Sequence, residues 1–500
     1  MRRFFLLLLI PLAFSAAKLP PSPAQLYGGL FQRVQMEGVL PDEKDFADCV
    51  AKRLPAEILA DYERKKDEPD FDLAAFVREN FVVPRGTADV RKHIETLWDQ
   101  LERSSAKAPK GGSLIALPFP YVVPGGRFEE LYYWDSYFVM LGLKESGRIG
   151  MLEHMVEDFA RLIETFGFIP NANRTYYLTR SQPPFFSLMV DLLAEADGDA
   201  VYRKFRLALE TEYRFWMDES RGHAVRVADR ILNRYHDAAG TPREEQYRTD
   251  RKLAASAKRE PAQFYRDIRS AAESGWDFSS RWFADGRTRA TVRTTEILPV
   301  DLNCLLQHLE LTIAKARKLD GDESGSREME EIAAKRAAAI NTLFWSPESS
   351  WYVDCDLAAE AQPRTLTLAG MMPFFLNIAP RDRIAAASKT LTKNFLKPGG
   401  VVTTLNETGE QWDAPNGWAP LEWITIQGLR NYGENKLAET IARRWVRQNL
   451  RVYKATGKLM EKYDVIDLSR PGGGGEYPTQ DGFGWTNGVL LKLLNLYGEP

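Results

Sequence analysis

From Val90 onward, apolar residues return at helical intervals. Val90, Ile94, Leu97 and Leu101 form one stripe, and Leu302, Leu305, Leu309 and Ile313 form another. Met329, Ile332, Ile340 and Leu343 repeat the pattern, as do Leu437, Ile441, Trp445 and Val446. Each set places its side chains on one side of a helix and predicts a helix packed along that side. Strand signals, such as Trp351-Tyr352-Val353 and Val401-Val402-Thr403-Thr404, are short and isolated. They do not alternate with helices as βαβ units would, so the predicted class is mainly α. Ahead of this region, Arg2 and Arg3 precede an apolar run from Phe4 to Phe14 and the small residues Ser15-Ala16-Ala17. That order predicts a secretory signal over residues 1–17. Residues 18–45 follow as a Pro-containing segment, in which Leu19-Pro20-Pro21-Ser22-Pro23 reads as a linker because proline cannot continue a helix. The apolar run is too short for a permanent membrane span and nothing comparable follows, so no membrane anchor is expected.

Composition narrows the function. A chain of 500 residues, 44% hydrophobic and 27% charged, is that of a globular protein with a large core. Lys and Arg total 66 against 69 Asp and Glu, for a formal charge of −3, so there is no broad basic footprint for nucleic acid. Three scattered cysteines, Cys49, Cys304 and Cys355, make neither a disulfide framework nor a paired-cysteine zinc knuckle. Five histidines fall in no HExxH pair, and no GxSxG elbow is present. Neither a metal nor a cofactor is expected. Gly472 to Gly475 lacks the Lys-Ser/Thr that a phosphate loop would carry next.

What remains is a set of carboxylates embedded among aromatic residues. Glu129 to Tyr137, Glu273 to Phe278, and Gln411-Trp412-Asp413 each set an acid beside Trp, Tyr or Phe. Sugar sites use that combination, with aromatic faces against C–H surface and carboxylates or amides on hydroxyls. Glycoside hydrolysis further needs two carboxyls on opposite sides of the scissile bond, one protonated and one ionised. Asp277, between Trp276 and Phe278, is the candidate acid, because apolar neighbours raise a carboxyl pKa. Glu461, in Met460-Glu461-Lys462-Tyr463-Asp464, is the candidate base. On local sequence alone the competing reading of an Asp beside Trp is a helix cap or a surface residue.

Two longer motifs decide between these readings. The segment Pro124-Gly125-Gly126-Arg127-Phe128-Glu129-Glu130-Leu131-Tyr132-Tyr133-Trp134-Asp135-Ser136-Tyr137 resembles the first signature of the trehalases of glycoside hydrolase family 37. Gln411-Trp412-Asp413-Ala414-Pro415-Asn416-Gly417-Trp418-Ala419-Pro420 resembles that family's other signature. Ile169 to Arg174, Arg180 to Pro184, Ser274 to Trp282 and Gly472 to Asn487 resemble family blocks in family order. The resemblance runs from about Phe46 to Tyr497.

It implies a single (α/α)6 barrel over residues 46–497, with the sugar pocket at one mouth. The implied reaction is hydrolysis of α,α-trehalose to two glucoses with inversion, without metal or cofactor. By motif, Asp277 matches the general acid, Glu461 the general base, and Glu476 a second carboxylate near the attacking water. Sugar contacts carry over to Arg127, Trp134, Asp135, Asn171, Arg180, Ser181, Gln182 and Gly275, and to Arg243 and Glu245. Spacing leaves Glu244 open as an alternative to Glu245. Gly472 to Gly475 would let a mobile loop close over the sugar, or would form an exposed turn. The partners expected are the disaccharide alone, with no nucleic acid and no membrane, for a monomer. The sequons at Asn173 and Asn406, the short leader and the lack of an anchor favour the periplasm over secretion. The rival readings are a catalytically silent trehalose-binding protein and a glucosidase of another α-glucoside on the same barrel.

Overall fold

A computed structural model describes residues 21–40, 43–68, 71–82, 89–357 and 365–499, and the predicted secretory segment lies outside them. The chain divides into two units, Met1–Ala88 and Asp89–Pro500. In the first, helices Pro23–Met36, Glu43–Ala47, Pro55–Lys65 and Leu73–Asn80 and a two-stranded pairing of Val50–Ala51 with Phe81–Val82 surround a small core. Leu30, Val34, Ile58 and Val77 fill it, together with Phe46, the residue at which the catalytic domain was expected to start. Pro23 departs from the linker expectation, while Leu19 and Pro20 lie outside the described residues. Ser22 accepts a hydrogen bond from the Gln25 amide and Gln25 reciprocates, so Pro23 opens a helix. At a first helical position, the missing proline N–H is one the helix would leave unbonded.

Twelve helices of the second unit alternate between an outer and an inner ring. The outer set is α1 (Val90–Leu101), α3 (Ile149–Phe166), α5 (Ala200–Met217), α7 (Glu323–Ala339), α9 (Ile384–Asn394) and α11 (Asn435–Thr456). The inner set is α2 (Tyr133–Glu145), α4 (Phe186–Asp197), α6 (Val300–Leu319), α8 (Met372–Phe375), α10 (Ala419–Asn431) and α12 (Gly484–Tyr497). Each inner helix touches the next in that order, and α12 packs on α2 to close the ring. This is the (α/α)6 barrel. The four helical stripes read from sequence fall in α1, α6, α7 with its short continuation Ile340–Phe344, and α11. Outer helices such as α11 bury one side, through Ile441, Trp445 and Tyr453. In α2, by contrast, every residue from Tyr133 to Leu143 is buried.

Among the described residues the sheets are all two-stranded. The strand signals at Trp351 and Val401 are halves of short hairpins with Trp345–Ser346 and Leu396–Lys397. One pairing matters for the site: β1 (Asn416–Trp418) against β2 (Lys462–Asp464), which joins the second signature to the Glu461 segment. No helix among the described residues is long and apolar enough to cross a membrane.

Ring closure depends on two glycines. A Cβ on Gly142 of α2 would lie 2.5 Å from the Gly488 Cα, and one on Gly488 of α12 would lie 2.0 Å from the Phe138 carbonyl oxygen. Both contacts are with backbone, so a side chain there must force the helices apart. Gly488→Ala is therefore expected to lower stability by about 1–3 kcal/mol, read as a lower urea midpoint with an unchanged m-value. An unaltered midpoint would show that α2 and α12 close the ring without this approach.

Candidate active site

The inner helices begin at one mouth of the barrel, where a cavity of about 160 Å³ opens. Trp134 and Asp135 reach it from the first turn of α2, Gln182 from the segment before α4, Trp418 from the end of β1 before α10, and Trp485 from the first turn of α12. The Gln182 side-chain oxygen accepts from the Trp134 amide, 3.1 Å, which satisfies one open donor of α2.

Asp277 lies past the end of helix Pro261–Glu273. Gly275 makes this turn at φ +74°, and a Cβ there would lie 2.8 Å from the Trp134 indole, so both backbone and space demand glycine. The loop is then tied to the second signature. Asp413 accepts from the Ser279 and Ser280 hydroxyls and the Ser280 amide, and the Gln411 side chain donates to the Asp277 carbonyl oxygen at 2.7 Å. Asp277 itself keeps one partly open face toward the cavity. Loss of hydration pushes its carboxyl up to about 7, against the lowering pull of Arg243, with the Glu476 charge adding to the rise. Trp276, Trp412 and Trp418 stack beside it, the last two with centroids 4.0 Å apart and planes 2° from parallel.

Glu461 is almost fully buried at the start of the segment that β1 holds in place. Its Oε1 accepts from the Tyr477 hydroxyl at 2.8 Å and its Oε2 from the Lys462 ammonium at 2.9 Å. Lys462 is wholly buried, donates also to Gln411 Oε1 at 3.0 Å, and lies 5.1 Å over the Trp418 ring. An ammonium and a phenol both donating is the pattern that an ionised carboxylate accepts. Asp135, the third carboxyl in this part of the cavity, is pushed up to about 8 by burial, with the charges of Glu461 and Asp277 contributing.

Arg180 and Arg243 are held in place by acids. Arg180 donates through Nη2 to Glu245 Oε1 at 2.6 Å and through Nε to Asn171 Oδ1 at 3.0 Å. Arg243 is gripped three times by the buried Asp250 and reaches Glu476 Oε1 at 3.0 Å. Burial pushes Glu245 up, but Arg180 and Arg243 outweigh it and hold its carboxyl below the usual range. Arg180 Nη1 and Glu245 Oε2 are buried without a hydrogen-bond partner among the described residues. Arg127 is exposed at the rim, with its guanidinium 5.0 Å over the Tyr477 ring.

Twelve of the thirteen residues singled out from sequence line this cavity: Asp277, Glu461, Arg127, Trp134, Asp135, Asn171, Arg180, Gln182, Arg243, Glu245, Gly275 and Glu476. Ser181 does not. Its hydroxyl donates to the Ile169 carbonyl oxygen and its amide to Glu273, so it braces the loop instead of facing the cavity. Glu244 turns outward toward Arg269, leaving Glu245 as the acid in the pocket. Tyr477, Trp412, Trp418, Phe483 and Trp485 also line the cavity and were not singled out as contacts. Aromatic density in the motifs was the available signal for them. The glycine run packs down on its neighbours: Gly475 N–H donates to the Gly409 carbonyl oxygen, and Cβ atoms on Gly472 and Gly474 would come within 2.6 and 2.5 Å of backbone oxygens. Gly472, Gly474 and Gly475 serve close approach, whereas a Cβ on Gly473 would meet nothing within 4 Å.

The sequence profile of the trehalase family matches residues 85–498. A periplasmic trehalase of Pseudomonas aeruginosa is 48% identical over 495 residues, covering 95% of this chain and 91% of the relative. One of Escherichia coli is 46% identical, covering 95% and 88%. Among solved structures, the neutral trehalase of Saccharomyces cerevisiae superposes with a TM-score of 0.65 at 27% identity, covering 75% of this chain and 73% of its own. A mannosylglycerate hydrolase of glycoside hydrolase family 63 from Thermus thermophilus, 17% identical with a TM-score of 0.55 and covering 81% and 99%, shares the fold.

The raised carboxyls generate a stability prediction that does not depend on turnover. A folded-state pKa near 7 for Asp277 and 8 for Asp135, against an ordinary 3.8, means that folding holds their protons between these limits. The resulting stability is lost as pH rises through the folded values. Asp277→Asn and Asp135→Asn should each raise Tm relative to the parent at pH 8 and converge with it at pH 3.5. Equal Tm differences at both pH values would show that neither carboxyl is raised.

Proposed function

The chain belongs to the trehalase family and hydrolyses α,α-trehalose to glucose, and we propose that it does so by single displacement between Asp277 and Glu461. Asp277 gives its proton to the bridging oxygen as the bond from that oxygen to one anomeric carbon breaks. Glu461 takes a proton from the water whose oxygen bonds to the same carbon on the opposite face. One glucose leaves with its α configuration and the other is formed as β. Exchange with solvent then returns the proton to Asp277 and removes the one on Glu461.

The observation that carries this reading is two carboxyls in one cavity with opposite surroundings, one desolvated and one accepting from fixed donors. Asp277 is held near 7 by burial, while Glu461 has two fixed donors. The arginines would oppose an oxocarbenium-like state if unbalanced, so their role is to bind hydroxyls with fixed forks while Glu245, Asp250 and Glu476 offset their charge. Glu476 orients the water, and the catalytic parts all lie in the second unit. The periplasm is the compartment this reading assigns, following the relatives' names. Asn173 suits a compartment without N-glycosylation, since it is fully buried and bonded to Leu131, Ile115 and Tyr121. No observation favours the binding-protein reading or another α-glucoside.

Early proton NMR of a trehalose digest should show α- and β-glucose in equal amounts before mutarotation. Only α-glucose would mean retention and would discard both roles. Asp277→Asn and Glu461→Gln should each cost about 10²–10⁴ in kcat. The value of kcat/KM should fall above a pH of about 7 as Asp277 loses its proton. A profile flat from pH 4 to 8 would contradict the assignment.

A further inference from the structure

Arg289 lies outside the cavity and outside every motif named above, yet it touches the loop that carries Glu476. It sits in the short turn Arg289–Thr291, with its side chain 12% exposed. Two of its nitrogens grip the two carboxylate oxygens of Glu410, Nε to Oε1 at 2.9 Å and Nη2 to Oε2. The third, Nη1, donates to Glu476 Oε1 at 2.6 Å. The same guanidinium lies 4.4 Å over the ring of Phe278, the residue after Asp277, and Arg243 approaches that ring at 4.8 Å.

We propose that Arg289 is a positioning residue that latches the Glu476 loop against the acid side of the cavity by bridging Glu410 and Glu476. Arg243 is already committed to Asp250, so it offers Glu476 one shared nitrogen. Arg289 supplies the second donor and also separates two carboxylates that would otherwise face each other. Removing its charge does more than delete a hydrogen bond: it turns an attraction between the 410 and 476 segments into a repulsion. The loop backbone reaches the 409–416 segment through Gly475 to Gly409 and Gly473 to Asn416, so the latch acts where the two segments already meet.

This inference rests on the assignment of Asp277 and Glu476 to the site. Arg289→Leu is expected to lower kcat/KM for trehalose by about tenfold or more, the scale for losing a charged hydrogen bond. Amide exchange in residues 472–481 should accelerate, with exchange in the inner helices unchanged. Arg289→Lys, which cannot fork, should be intermediate and guards against misfolding of the leucine variant. Arg289→Leu with Glu410→Leu should recover part of the activity and of the exchange protection, because the repulsion is gone. Parent-like kcat, KM and exchange in Arg289→Leu would overturn the latch. So would a loss that is global in exchange and is not rescued by the second substitution. Asp277→Asn measured alongside separates the two claims: activity retained there would remove the catalytic reading, while loop exchange would still judge the latch.

Discussion

Ionised groups taken out of water must be paired, and this constraint organises the whole mouth of the barrel. Arg180 is neutralised by Glu245, Arg243 by Asp250 and Glu476, and Lys462 by Glu461. Once those pairs are made, Asp277 and Asp135 are the carboxyls without a cation of their own. Burial therefore raises both carboxyls, Asp277 to about 7 and Asp135 to about 8. The proposed acid is thus one of the two carboxyls that the cations leave over. Each guanidinium is held by an acid before sugar arrives, so its donors are fixed in direction and its charge is already spent.

The scaffold delivers these groups from remote parts of the chain. Inner helices begin at the cavity, which brings residues near 134, 182, 418 and 485 together. The Asp277 loop and the Glu461 segment are joined through the second signature. Asp413 fastens the first, β1 fastens the second, and Gln411 bonds to both the Asp277 carbonyl and Lys462. A shift of Gln411 would therefore reach the Asp277 loop and the Lys462–Glu461 pair together.

The outer helices α1, α7 and α11 and the inner α6 were legible because their apolar residues repeat every three or four positions. The inner ring was harder to count from sequence. A helix buried all round, such as α2, carries no stripe, and α8 is only four residues long. In the site, the motifs carried most of the residues, since twelve of those singled out share one cavity. Ser181 was carried along by its neighbours, though adjacent residues in an extended segment point opposite ways. Lys462 and Tyr477 escaped notice because their importance comes from reaching one carboxylate, a relation that local sequence does not express. The bonds from Arg289 to Glu410 and Glu476 span 121 and 187 residues and leave no local pattern.

The stacked indoles have a further consequence. Trp412 and Trp418 lie nearly parallel at 4.0 Å, Trp276 extends the stack, and Trp134 and Trp485 meet it at an angle beside the substrate cavity. Transition dipoles of indoles this close and this fixed couple, which is the arrangement that gives near-ultraviolet dichroism its intensity. A buried ammonium, Lys462, sits 5.1 Å from one face of it. Because Trp134, Trp412, Trp418 and Trp485 of this cluster line the cavity, the dichroism band arises at the cavity wall and not in a remote part of the core.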